Sequence, residues 1–355
     1  MSKDPEVEKH VLKRYELIHK VGKGAYGIVW KAKNRKTGEL VALKKIFQAF
    51  QNEQDAQRTY REVMFLNLFS HENIIKLQNV MKAENGMDLY LVFDFMESDL
   101  HHVIQAGMLQ DAHKQYIFYQ ILKSMKYLHS GALLHRDLKP SNCLINSACT
   151  IKIADFGLAR SLQEEDGQAG QKPVYTDYVA TRWYRPPELL LGSPAYDKPV
   201  DIWALGCILG EMISGRPLFP GSSATNQIDL VLQVTGKPTK DDIDSLKSPY
   251  AASMLEQIPQ PKQRNLKEIF PKATSEALDL IQGMLHFNPQ QRLTIEQALN
   301  HPYVAQFRQE ETETTANIFK IPVSDNIKLS VEEYKQKLYA DILERKKHSK
   351  EKQEE

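Results

Sequence analysis

A chain of 355 residues has room for two domains or one bilobal fold with an ample core. Its 42% apolar and 26% charged content excludes wholesale disorder, and a net charge of +1 from 46 basic and 45 acidic residues excludes a global field aimed at nucleic acid or an anionic membrane. Three cysteines without zinc-like spacing, a charged N-terminus and the lack of any apolar run of about 18 residues predict a cytoplasmic or nuclear protein with no membrane span.

The first hundred residues read mostly as strands. ELIHKVGKGAYGIVWKAK and ELVALKKIF gather β-favouring residues around glycine-containing turns. One helical pattern interrupts them, DAQRTYREVMFLNLF, with Tyr60, Val63, Met64 and Leu66 near helical spacing; LYLVFDFM then reads as a buried strand leading into a connector. Past residue 99 the pattern turns helical in HKQYIFYQILKSMKYLHS and DIWALGCILGEMISG, with short strand candidates CLIN and TIKIAD between them. Strands first and helices second predict an α+β arrangement in two lobes. The tail LSVEEYKQKLYADILERKKHSKEKQEE begins as an amphipathic helix and ends in mixed charge.

Gly22, Lys23, Gly24, Ala25, Tyr26 and Gly27 spell GxGxxG. A dinucleotide-binding turn would open a helix there, but Ile28, Val29 and Trp30 favour a second strand, which argues against a nicotinamide-dependent dehydrogenase. The glycines instead suit a hairpin whose free amides approach phosphates. Lys44 ends the apolar stretch Val41-Ala42-Leu43, and Glu62 can hold its ammonium against α- and β-phosphates. Lys45 is expected to face solvent, because successive strand residues point to opposite sides. In HRDLKPSN, Asp137 can accept the proton of an attacking hydroxyl, Lys139 can steady a transferring phosphoryl group, and the Asn142 amide oxygen can bind Mg²⁺. Asp155, opening Asp155-Phe156-Gly157, adds a hard oxygen ligand suited to the same ion.

Together these motifs resemble the eukaryotic protein kinases over residues 15–304. The resemblance implies transfer of the γ-phosphoryl group of ATP, with Mg²⁺, to a protein hydroxyl. It implies an N-terminal extension 1–14, a small β-rich lobe 15–96 with one main helix, a larger helical lobe 97–304, and a C-terminal extension 305–355 running back over the small lobe. Nucleotide contacts would come from residues 22–27 with Val21 and Asp99; Phe93 would be the gatekeeper, Asp94, Phe95 and Met96 the hinge, and Val29, Ala42 and Leu144 the walls around adenine. A catalytically inert scaffold of this shape would have lost the lysine or a metal ligand, and neither is lost.

Within that group, TDYVATRWYRPPE resembles the T-x-Y switch of the mitogen-activated protein kinases, with Thr176 and Tyr178 as phosphorylation sites. A phosphate on Thr176 would need a basic pocket, which the family pattern draws from Arg58 or Arg61, Arg136 and Arg160; one on Tyr178 would pair with Arg182 and Arg185. Val179 to Arg182 matches the segment that selects proline after the target serine or threonine. Residues 225–259 resemble the family's helical insert, and no cyclin-binding PSTAIRE-like stretch precedes Glu62. The aspartate of TDY and the Pro186-Pro187-Glu188 triplet depart from the commoner glutamate and APE, so which activating enzyme reads the loop stays open. Val103, Leu109 and His113 match the apolar part of a peptide-docking groove, whereas Glu310, Glu311 and Glu313 do not reproduce its acidic pattern, so docking of basic partners is expected to be weak. QDAQRTYRE, KKIFQAF and the tail are most similar to the atypical extracellular-signal-regulated kinases of the seven/eight type, also called mitogen-activated protein kinase fifteen. That branch implies autophosphorylation, a long C-terminal region and association with basal bodies or cilia.

Overall fold

Five antiparallel strands build the sheet that carries much of the expected nucleotide site: β1 (Tyr15–Gly24), β2 (Gly27–Asn34), β3 (Leu40–Ile46), β4 (Leu77–Lys82) and β5 (Leu89–Asp94), in the order β1-β2-β3-β5-β4. The structure is a computed structural model describing residues 7–24, 27–162, 182–194, 197–259, 261–323 and 327–354, with side chains described up to residue 344. Its α+β division into a strand-rich lobe and a helical lobe is the one the sequence predicts. No helix among the described residues is long and apolar enough to cross a membrane.

Register decides which side chains face which way. Val29 pairs with Lys44, Lys44 with Leu91, and Ala42 with Phe93, so these residues share one face of the sheet. The opposite face buries Ile28, Trp30, Val41, Leu43, Tyr90 and Val92 beneath Val7, Val11 and Tyr15. That cover overturns the expectation for Lys45. Its side chain is only 10% exposed, and its ammonium pairs with Asp88 at 3.4 Å and Glu8 at 3.7 Å beside the Tyr90 ring. Alternation sent Lys45 to the other face as expected; residues before β1 then closed that face from solvent.

Helix α1 (Glu53–Leu68) starts where the Asn52 side chain accepts a hydrogen bond from the Asp55 amide at 2.9 Å. It buries Tyr60, Arg61, Glu62, Val63 and Phe65. The helical lobe is organised by α2 (Asp111–Ser130), α3 (Pro199–Ser214) and α4 (Ser275–Met284). Every residue of α3 from Val200 to Met212 is buried, as suits a helix covered on all sides. Gly206 permits the close approach of α4, since a Cβ there would lie 2.8 Å from Leu285 and 3.0 Å from Met284. Leu190 and Leu191 bind the 225–259 region through a smaller apolar cluster with Ile228, Leu232, Leu246 and Ala251.

The C-terminal extension returns as α5 (Val331–Glu354), packed on α1. Tyr334, Leu338 and Ile342 are buried, and the Tyr334 and Tyr60 rings lie 5.7 Å apart. The helix begins after Leu329 because Ser330 caps it: the Glu333 carboxylate accepts from the Ser330 amide at 2.8 Å and from its hydroxyl at 2.6 Å.

Candidate active site

The loop from His135 to Asn142 is held from below by one buried carboxylate. Asp201, 1% exposed in the first turn of α3, accepts hydrogen bonds from the amides of His135 (3.0 Å) and Arg136 (2.9 Å) and from His129 Nε2 (2.9 Å). Burial opposes its charge, but the His129 hydrogen bond, the neighbouring imidazoles and the Arg136 amide hold it below the usual carboxylate range. Arg136 takes a left-handed φ of 68°, a strained conformation for a side chain with a Cβ, and those bonds stabilise it. Nothing near Asp201 in the sequence signals this anchoring; the HRD triplet only implies that something must.

On that frame the polar atoms converge. Lys139 Nζ donates to Asp137 Oδ2 at 2.7 Å, and Asn142 Nδ2 donates to the Asp137 carbonyl at 2.8 Å and to Oδ2 at 3.2 Å. Both acceptors require the NH₂ side of the amide, so the Asn142 carbonyl oxygen faces away from Asp137. The Ala154 amide donates to the Asn142 backbone carbonyl at 2.9 Å, tying the turn at Asp155 to the same loop. His135 adds a second tie. Its Nδ1 accepts from the Asp137 amide at 3.2 Å, which leaves Nε2 to donate to the Ala154 carbonyl at 3.1 Å.

Lys44 reaches Glu62 of α1 at 3.5 Å, joining β3 to the helix, and the Glu62 charge raises the lysine above its ordinary pKa against the opposing effect of burial. Asp155 has a left-handed φ of 64°. Burial would raise its pKa, yet Lys44 and Arg58 outweigh that and keep it ionised below the usual range. An Asp155 carboxylate and an Asn142 amide oxygen form a hard, oxygen-only donor set, the kind Mg²⁺ takes alongside phosphate oxygens. The residues present therefore fit a magnesium nucleotide.

The remaining expectations fare unevenly. Val29, Ala42 and Leu144 are half-buried while their strand neighbours Ile28, Trp30, Val41, Leu43, Cys143 and Ile145 are buried, and Phe93 closes the back of the face at 8% exposure. Phe95 lies under the Lys31 ammonium at 4.5 Å, and Asp94 is engaged by Lys152 at 3.4 Å. Met96 is buried just beyond. Both oxygens of Asp99 are occupied in capping the helix Leu100–Gln105, with the His102 amide at 3.0 Å and Nδ1 at 2.7 Å, so a ribose hydroxyl would have to share them. Val21 is exposed, as are Gly22, Lys23 and Gly24; Gly27 is half-buried, and Ala25 and Tyr26 lie outside the described residues.

Thr176 and Tyr178 also lie outside the described residues, with Val179 to Thr181. Three of the arginines expected around a Thr176 phosphate donate to backbone carbonyls of residues 157–159. Arg61 donates to the Gly157 carbonyl (3.4 Å), Arg136 to that of Leu158 (3.1 Å) and Arg160 to that of Ala159 (2.8 Å), while Arg58 turns to Asp155. Arg182 and Arg185 lie together beyond, bonded amide to carbonyl at 3.1 Å. Val103 and Leu109 pack partly buried on the main core, and His113 Nδ1 accepts from the Gln110 amide at 3.2 Å as a helix cap. Glu313 is not a free acid: its side chain is fully buried, paired with Lys126 at 2.9 Å and Arg308 at 3.0 Å, and Arg308 also takes Glu310 at 3.2 Å. Glu188 holds the far end of the segment through a buried two-pronged pair with Arg292, both contacts 2.7 Å, a partner with no signal in the local sequence.

Comparison with known proteins agrees with this geometry. The model of the protein kinase domain family matches residues 15–304. The chain is 54% identical over 350 residues to extracellular signal-regulated kinase 2 of Dictyostelium discoideum, covering 98% of this chain and 95% of that one. It is 54% identical over 346 residues to mitogen-activated protein kinase 15 of Xenopus laevis, covering 96% of this chain and 59% of that protein. With mitogen-activated protein kinase 15 of Rattus norvegicus it shares 49% identity over 355 residues, 99% of this chain against 64% of the relative.

Proposed function

The chain belongs to the protein kinase family as a serine/threonine enzyme of the mitogen-activated kind, and on that premise we propose that it phosphorylates hydroxyls followed by proline, under control of its TDY loop. The observation that carries phosphoryl transfer is the grouping of Asp137, Lys139 and Asn142 within hydrogen-bond reach on one anchored loop, while proline direction and loop control rest on the match of Thr176 to Arg182 to the family pattern.

When bound, Mg²⁺ would supply positive charge that offsets the charge of the ATP phosphates. Asn142 and Asp155 would hold the ion, and Lys44, kept in place by Glu62, would bind the α- and β-phosphates. Asp137 would orient the incoming hydroxyl and accept its proton, while Lys139 would leave the Asp137 carboxylate to stabilise the transferring group. Such a site works by positioning and fixed charge, so its residues must be rigidly placed before substrate arrives. The Asp201 bonds to the loop supply that rigidity. Adenine would lie between Val29 and Ala42 above and Leu144 below, against Phe93.

Proline selection would follow from a pocket formed by Val179 to Arg182 that offers no acceptor to the residue after the target: any residue but proline would bury an unsatisfied N–H. Phosphate on Thr176 would gather the arginines around residues 157–159, and phosphate on Tyr178 would engage Arg182 and Arg185. The similarity to the kinase fifteen group supports autophosphorylation of that loop and residence at basal bodies or cilia. The burial of Glu313 supports weak docking of basic partner motifs.

The test is transfer of labelled phosphate from ATP with Mg²⁺ to Ser-Pro and Thr-Pro peptides against Ser-Ala and Thr-Ala controls. Asp137→Asn should reduce the rate by roughly 10²–10⁴-fold. No transfer by protein phosphorylated on Thr176 and Tyr178, or an Asp137→Asn variant as active as wild type, ends the reading. Protein made in bacteria should carry phosphate on both residues and its Lys44→Met variant on neither, which intact-mass and peptide-mass measurements together decide.

A further inference from the structure

Arg58 is one of the two α1 arginines, with Arg61, that could await a phosphate, yet its guanidinium Nη2 lies 3.4 Å from Asp155 Oδ1. The rest of its side chain runs over Gly157: a Cβ on that glycine would fall 2.5 Å from Arg58 Nε and 2.9 Å from Cγ. The missing side chain of Gly157 is thus what lets an arginine from α1 reach across to the turn. No positive φ explains a glycine there, so the close approach of Arg58 does.

Resting on the reading of Asp155 as a magnesium ligand, we propose that Arg58 is a positioning residue that exchanges with the divalent cation for the Asp155 carboxylate. Without metal the guanidinium neutralises and orients Asp155 through Oδ1; metal entry draws the same carboxylate charge and drives the guanidinium off, because the two cations repel each other. Helix α1 is thereby coupled to metal occupancy, since the helix carrying Glu62 toward Lys44 also carries Arg58.

The experiment titrates Mn²⁺ into the full chain with a non-hydrolysable ATP analogue, reading free Mn²⁺ by electron paramagnetic resonance. Variants are Arg58→Gln, which removes the cation, Gly157→Ala, which displaces it sterically while keeping its charge, and Asp155→Asn. A partly exposed ion pair is worth up to about 1 kcal/mol, so the first two variants should bind Mn²⁺ about two- to fivefold more tightly. The melting-temperature gap between Arg58→Gln and wild type should also narrow once Mn²⁺ and nucleotide are added. Unchanged or weaker binding in folded Arg58→Gln overturns the exchange. Tighter binding in Arg58→Gln with wild-type binding in Gly157→Ala also overturns it, leaving only a charge acting at a distance. Should Arg58→Gln fail to fold, Gly157→Ala decides alone. In each of these cases loss of binding in Asp155→Asn keeps the metal-ligand reading intact; if Asp155→Asn binds as wild type, or nothing binds at all, both fall.

Discussion

Replacing Arg292 by methionine tests a deeply buried ion pair of the helical lobe. The Arg292 side chain is fully buried and that of Glu188 is 3% exposed, joined by two 2.7 Å hydrogen bonds. The same guanidinium donates to the carbonyls of Pro199 (2.9 Å) and His286 (2.9 Å) and stacks on Trp203 at 5.1 Å. Methionine fills much of the volume but leaves a carboxylate without its cation, a loss of about 3–5 kcal/mol. At roughly 2.1 cal/mol/K of unfolding entropy per residue over the 355 residues, that loss lowers the melting temperature by about 4–7 °C if the chain unfolds cooperatively. Urea titration followed by circular dichroism measures the same quantity. The double variant Glu188→Leu with Arg292→Met removes the stranded charge and should recover about 2 kcal/mol, less than the full loss because three backbone carbonyls, those of Pro199, His286 and Phe287, remain without their donor. A single-variant loss below about 1 kcal/mol, or a double variant no more stable than Arg292→Met, would show that the pair does not hold the segment after residue 182 to the helical lobe.

His71 should leave a signature in the pH dependence of stability. Burial, aided by repulsion from Lys123, lowers its pKa from 6.5 to about 4, and its Nδ1 accepts from the Asn73 amide at 3.0 Å, a bond that protonation breaks. Between those values the unfolded chain binds more protons than the folded one, so stability falls as pH drops from 6.5 toward 4, by up to about 1.4 kcal/mol per pH unit. His71→Gln should flatten that slope in denaturant titrations, and an unchanged slope refutes the assignment. Asp201→Asn places an NH₂ group against backbone donors, so kcat should fall on the order of 10²-fold through misplacement of the Asp137 loop, with KM for ATP little changed; an equal rise in KM would instead mean that the nucleotide site had moved. Leu338→Ala in α5 removes a side chain with 0% exposure and should cost about 2–5 kcal/mol of the extension's attachment to α1, read as faster tryptic cleavage after residue 330. Cleavage at the wild-type rate would show the helix docked without it.

Local pattern determined much of this protein before any fold was known. GxGxxG followed by β-formers, Lys44 in an apolar strand, HRDLKPSN and Asp155-Phe156-Gly157 are short runs whose chemistry depends on residue type and near spacing, and alternation along β3 was enough to set Lys44 and Lys45 on opposite faces, whereas strand register brought Val29 and Phe93 to the face of Lys44 and Ala42. The partners that hold those runs were decided only by tertiary structure. Asp201, Arg292 and the bond from Arg58 to Asp155 join residues distant in the chain, and nothing in a stretch of sequence records which remote carboxylate or guanidinium will stand opposite. Lys45 shows the same limit from the other side: the strand period aimed it correctly, but only the folding of the preceding residues across the sheet turned its solvent-facing position into a buried ion pair. Glu313 follows suit, an acid in sequence and a buried, ion-paired side chain in the fold, because burial and pairing depend on what packs above a side chain.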